Sequence, residues 1–208
     1  VNTVAKGFFG ILRRKGFTVD RGPTPDFNQR VPTVRNTSLA YYLCGGTIPV
    51  TEFRVHDALG SLLPAAGAND DLGLASGTFG TSAPYLSTGD VKAAGCTMYA
   101  RVLRPVIGHP NIQTAKLRVN AGMVTTVSDG VSTLDVEVFR QAAPTVDICE
   151  TAAQSIKSLT AADKDFTLKV SDLANGDVLD IRLKVAVVDA ATATAVIATI
   201  NKVQLLLT

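Results

Sequence analysis

The stretch from Leu173 to Leu207 admits few folds. Leu179, Ile181, Leu183, Val185 and Val187 are apolar, while Asp180, Arg182 and Lys184 between them are charged. That two-residue alternation is the signature of a strand with one buried and one solvated face. After Asp189-Ala190-Ala191 the chain from Thr194 to Leu207 runs back, with Val196, Ala198 and Ile200 on one parity and Val203, Leu205 and Leu207 on the other. The phase slips at Asn201-Lys202. One residue of slip carries every later side chain to the opposite face, so either a β-bulge sits there or the final strand is covered on both sides.

The same alternation recurs upstream. Met98, Ala100 and Val102 alternate with Thr97, Tyr99 and Arg101; Ala115, Leu117, Val119, Ala121 and Met123 with Lys116, Arg118 and Asn120; Leu134, Val136 and Val138 with Asp135 and Glu137. Phe166, Leu168 and Val170 repeat it, and Gly108-His109-Pro110-Asn111, Asp129-Gly130 and Asn175-Gly176 supply turns. Nearer the start, strands are expected over Ser38 to Cys44 and Ile48 to Val55 around Gly45-Gly46, then one or two helical turns between Val55 and Leu63. One short helix is expected over Ile148 to Ser158, because Ile148, Ala152, Ile156 and Leu159 follow at spacings of four, four and three and Asp147 stands in the capping position.

Many short strands with close turns favour antiparallel pairing, since each parallel neighbour needs a helical crossover. The expected fold is therefore all-β: an antiparallel β-sandwich, best matched in size and strand number by an eight-stranded jelly roll. Another Greek-key sandwich is the alternative, because periodicity reports faces and not connections. Residues 36–208 are expected to form this domain, with a long loop at about 64–95 that is rich in Gly, Ala, Ser and Thr. Loops longer than about 12 to 15 residues are uncommon in compact domains, so this one is expected to hold short strands or to serve as a contact surface.

Residues 1–35 read as an extended N-terminal arm. Three prolines and four glycines before Val34 leave little room for a regular element. Lys6, Arg13, Arg14, Lys15, Arg21, Arg30 and Arg35 stand there against Asp20 and Asp26, in a chain whose total charge is only +2. Phe8, Phe9, Ile11 and Leu12 are hard to leave in water, so the arm either drapes over its own domain or docks on a neighbouring subunit. Nucleic acid is not an expected partner, because one basic triplet without aromatic stacking residues is a weak signal. No apolar run approaches the roughly 18 residues that cross a bilayer, so no membrane is expected either.

Catalytic signatures are missing. There is no Gly-x-Ser-x-Gly elbow, no His-Glu-x-x-His and no phosphate-binding glycine loop. His56 and His109 stand apart from other ligand-type residues, and Cys44, Cys96 and Cys149 are an odd, widely spaced set that reads as buried free thiols of a protein assembled in a reducing cytosol. Asn69-Asp70-Asp71, with Asp90, offers oxygens for calcium, but its spacing matches no EF-hand and side chains capping a turn are the favoured account. Asp135 and Glu137 share one face of a strand as a glycosidase pair would, but that face is expected to be the solvated outside, and Trp is absent. An enzyme is not expected, nor a cofactor or a metal. Charged residues make up 18% of the chain, against roughly 25% in ordinary soluble proteins, which suits a component of an assembly.

Leu62-Leu63-Pro64-Ala65-Ala66 through Asp70-Asp71-Leu72-Gly73-Leu74, Gly77-Thr78-Phe79-Gly80, Ala152-Ala153-Gln154-Ser155-Ile156, and Gly176-Asp177-Val178-Leu179-Asp180 to Leu207 together resemble jelly-roll structural proteins of tailed-bacteriophage heads. The resemblance implies a capsid cement or decoration protein, a homotrimer assembled in the host cytoplasm and bound to the outside of the virion, where it stabilises the shell by bridging subunits of the major capsid protein. Lys6, Phe8, Phe9, Ile11, Leu12, Arg13, Arg14 and Lys15 of the arm are the expected contact residues. Two alternatives stay open: a shell-forming jelly-roll capsid protein, and a carbohydrate- or receptor-binding β-sandwich module.

Overall fold

A computed structural model of the chain describes residues 46–57, 61–62, 72–75, 77–78, 80–89, 96–106, 112–124, 126–174, 176–189 and 196–208. In chain order these contain β1 (Gly46–Ile48), β2 (Arg54–Asp57), β3 (Ser61–Leu62), β4 (Leu72–Ala75), β5 (Tyr85–Thr88), β6 (Cys96–Pro105) and β7 (Ala115–Val124). There follow β8 (Ser132–Arg140), β9 (Ala143–Asp147), β10 (Gln154–Ser155), β11 (Ala162–Leu168), β12 (Val178–Val187) and β13 (Ile197–Leu207). All pairings between these strands are antiparallel.

The strands form two sheets. One runs β11-β7-β13-β5-β4, with β1 pairing β13 at Val203, Gln204 and Leu205; the other runs β10-β8-β12-β6-β2-β3, with β9 also on β8. Followed from β5 onward, successive strands give the order β5-β13-β7-β11 opposite β6-β12-β8-β9/β10, which is the eight-stranded jelly roll, its fifth strand split between β9 and β10. The inward parity fills the space between the sheets. Leu179, Ile181, Leu183, Val185 and Val187 of β12 are completely buried, as are Leu117 and Val119 of β7 and Phe166 of β11. Each such side chain withdrawn from water is worth about 2 kcal/mol.

The phase slip in β13 is a bulge. Ile200 pairs with Ala121 and Lys202 with Asn120, so Asn201 is the extra residue, and Val196, Ala198, Ile200, Val203 and Leu205 all turn inward. The long loop at 64–95 holds the short strands β4 and β5, as expected. The stretch from Ile48 to Val55 is broken, because Pro49 opens a 3-10 turn at Val50–Glu52 that carries the chain from β1 in one sheet to β2 in the other. In place of helical turns after Val55, β2 and β3 pair with each other.

The helix expected over Ile148 to Ser158 does not form, and among the described residues no α-helix is present. The segment is an extended strap between the two sheets. Ile148 donates its amide to Val138 O (2.8 Å), Glu150 to Thr167 O (2.9 Å) and Ile156 to Ser132 O (3.0 Å). Asp147 caps nothing helical; its Oδ1 accepts the amides of Val138 and Cys149, each at 2.9 Å. Gln154 Nε2 adds a bond to Asp165 O (2.7 Å). Ile148 and Ile156 are buried, as a helical stripe would have them, but Ala152 and Leu159 face water. The open edges of β8 and β11 thus satisfy amides that a helix would have satisfied internally.

Candidate functional site

Several residues singled out by sequence lie outside the described residues: the whole arm with Lys6, Phe8, Phe9, Ile11, Leu12, Arg13, Arg14 and Lys15, and also Cys44, Asn69-Asp70-Asp71, Asp90 and His109. The side chains of His56 and Cys96 do too. Among the described residues no three His, Cys, Asp or Glu side chains gather as a metal site. Cys149 is a half-buried free thiol, pushed up to about 11 by burial. The solvated faces of the two sheets remain.

On the β11-β7-β13 face, charges alternate across the strands. Asp165 stands opposite Arg118 and accepts from its Nε (2.6 Å) and Nη2 (2.8 Å), and Lys116 Nζ adds a third bond at 2.7 Å. These donors, Arg118 foremost, hold the Asp165 carboxyl well below the usual carboxylate range. Asp163 stands opposite Asn120 and takes its Nδ2 at 2.7 Å, while Asn201 in the bulge donates to Asn120 Oδ1 (3.2 Å). This face is locked by its own pairs.

The β8-β12-β6-β2 face is built differently. The register places Glu137, Arg182, Arg101 and Arg54 in one row across four strands. A second row holds Phe139, Asp180 and Leu103, and a third Asp135, Lys184 and Tyr99. Asp180 is the hub. It accepts from Arg101 Nε (2.5 Å) and Nη2 (2.8 Å) and from Arg182 Nε (3.0 Å) and Nη2 (2.9 Å). Although it lies on the outward parity, these two guanidiniums leave it only 5% exposed. Arg182 also lies over the Phe139 ring, 4.1 Å from its centroid, a cation–π contact of about 0.5–1 kcal/mol. Leu103, beside Asp180, is 51% exposed.

Asp135 and Glu137 sit on this solvated face as expected, facing Lys184 (3.9 Å) and Arg182 (3.6 Å) rather than each other across a cleft. The face is an array of charged planar groups, one carboxylate fixing two guanidinium forks beside an apolar side chain and the Tyr99 ring. Such forks hydrogen-bond in pairs to planar anions and to adjacent hydroxyls. Sequence marked Asp180, Arg182, Arg101 and Tyr99 as outward residues; their meeting in rows depends on strand order, which alternation does not report.

No protein-family model matches the chain, and no curated protein matches it significantly. Among solved structures it is similar to a xylan-binding module, CBM15 (12% identity, 78% of this chain and 95% of that one, TM-score 0.43). It is also similar to the CBM22-1 xylan-binding domain of Xyn10C from Paenibacillus barcinonensis (13%, 79% and 93%, TM-score 0.45). A third similar structure is the Stig cyclase Fisc from Fischerella sp. TAU (15%, 77% and 87%, TM-score 0.43). None of these similar structures is a phage-head protein.

Proposed function

We propose that the chain is a non-catalytic carbohydrate-binding β-sandwich module, whose ligand lies across the outer face of β8, β12, β6 and β2. The observation that carries this reading is the pair of guanidiniums fixed by Asp180 next to Tyr99 and the exposed Leu103. Strands hold the array rigid and the ion pairs orient it before any ligand arrives, so little ordering entropy is lost on binding. A sugar ring presents neighbouring hydroxyls to such forks and a C–H face to an aromatic or aliphatic side chain. The xylan-binding neighbours accord with this reading without deciding it.

The test is a glycan array followed by calorimetry on the intact chain, with Arg101→Ala and Tyr99→Ala as variants. Binding that falls at least tenfold in both variants supports the proposal; absence of any glycan hit sinks it.

A second reading, the capsid cement protein, draws on a different observation. Val124, Val131, Leu159 and Val188 are four of the six large apolar side chains exposed among the described residues. All lie at one end of the sandwich: the Val188 amide bonds Val131 O (2.8 Å), and the Met123 amide bonds Ser158 O (2.8 Å). On this reading that end, together with the arm residues, meets subunits of a shell, and three copies surround a threefold axis. Light scattering across a concentration range tests it. A stable trimer supports the reading, closed particles favour a shell-forming protein, and a strict monomer removes it.

A further inference from the structure

Arg54, Arg101 and Arg182 stand directly opposite one another on β2, β6 and β12. Like charges in that relation destabilise a sheet. Elsewhere on these outer faces the register avoids it: Asp165 faces Arg118, Glu137 faces Arg182, and Asp135 faces Lys184. Among the described residues the exception is confined to the β12-β6-β2 row.

The carboxylates nearby do not cancel it. Asp180 is shared between Arg101 and Arg182, and Glu137 reaches Arg182 at 3.6 Å. Arg54 is exposed and has no ion pair among the described residues. The neighbouring Arg104 is engaged by Glu52 (3.3 Å). Surplus positive charge therefore collects at the β6-β2 side, flanked by Tyr99 and Leu103. Asp180 holds the Nε and Nη2 of Arg101, which fixes that guanidinium plane and leaves Nη1 without a hydrogen bond among the described residues. A local rule kept elsewhere and broken at one place is what a binding site looks like, because the missing counter-charge is supplied by the ligand.

We infer that the Arg54–Arg101–Arg182 row binds the acidic groups of a charged glycan, carboxylate or sulfate, with the sugar ring against Tyr99 and Leu103. This inference rests on the carbohydrate-binding reading and narrows its ligand class.

The experiment uses the full chain, with affinity electrophoresis and calorimetry against polygalacturonate (carboxylate), chondroitin sulfate (carboxylate and sulfate), neutral xylan and polyglutamate, at low and high salt. Arg54→Gln is compared with Lys202→Gln, which removes the same charge from an exposed position on the other sheet. The expected result is acidic-glycan binding that weakens about tenfold in Arg54→Gln, weakens with salt, and is unchanged in Lys202→Gln. Arg54→Gln is also expected to melt up to ~2 °C higher, since it relieves repulsion, a change that a purely structural arginine would not give. Equal or better binding of neutral xylan overturns the inference while leaving the carbohydrate reading standing. No glycan binding overturns both. Polyglutamate binding as tight as the acidic glycans, or an unaffected Arg54→Gln, overturns the inference by showing attraction without sugar recognition or a site elsewhere.

Discussion

Arg101 and Asp180 form a two-point ion pair across β6 and β12, with Nε 2.5 Å from Oδ1 and Nη2 2.8 Å from Oδ2. The same carboxylate receives Arg182 from its own strand at 3.0 and 2.9 Å, so one nearly buried anion organises two cations. Arginine suits this role because its flat fork matches both carboxylate oxygens at once.

Asp180→Ala is expected to lower stability by about 2 kcal/mol in urea titrations. That is less than for a fully buried pair, because the Arg101 side chain is 38% exposed and water takes up part of the lost interaction. Glycan binding should fall with it, as Arg101 and Arg182 lose their common anchor. A variant with unchanged stability and binding would show that the pair organises nothing.

The bulge makes an unusual deletion tolerable. Removing Asn201 leaves Ile200 opposite Ala121 and Lys202 opposite Asn120 in one regular strand, with Val203 and Leu205 still inward. Removing Gln204 instead turns Leu205 outward. Thermal unfolding of purified proteins should show the first deletion folded at a cost of about 1 kcal/mol, from the lost Asn201–Asn120 bond, and the second unfolded or insoluble. Equal outcomes would contradict the register.

Gly122 is required by close approach. A Cβ there would lie 2.8 Å from Ala161 Cα and 3.0 Å from its nitrogen, both backbone atoms that cannot swing aside. Gly122→Ala should destabilise by about 1–3 kcal/mol in chemical denaturation, and Gly122→Val by more.

Cys149 should be a slow nucleophile. Burial raises its thiol from 9.0 to about 11, outweighing the Thr151 contact that acts the other way. In a Cys44→Ser, Cys96→Ser background, a thiol-specific disulfide reagent near neutral pH should react far more slowly with the native chain than with the unfolded one. The folded state holds this proton more tightly than the unfolded chain, so its contribution to stability is complete below pH 9 and is lost as pH rises towards about 11. Cys149→Ser should flatten that part of the stability profile.

Alternation correctly placed the faces of β6, β7, β8, β12 and β13, because burying one side of a pleated strand writes a period of two into the sequence. It also shows the phase slip near Asn201-Lys202, since such a slip is visible wherever both halves of a strand remain half-buried; the register with β7 makes that slip a bulge and Asn201 its extra residue. The strap at Ile148 to Ile156 defeats the same kind of reading, because two buried isoleucines with an alanine midway satisfy a helical spacing. The amide partners that decided otherwise, Val138, Thr167 and Ser132, belong to other strands. Local preference also misleads at Arg54–Asp57 and Ser61–Leu62, because these short strands take their pairing from β6 and from each other.

Alternation within the chain carries the antiparallel strands, the inward parity that fills the core, and the phase slip near Asn201-Lys202. These are properties of residues a few positions apart, and the physics behind them is local. That β2, β6 and β12 lie side by side, and so that Arg54, Arg101 and Arg182 share one row around Asp180, emerges from the fold of the whole chain. Strand order is fixed by the packing of two whole sheets over a common core, and no neighbouring residue in the chain records it.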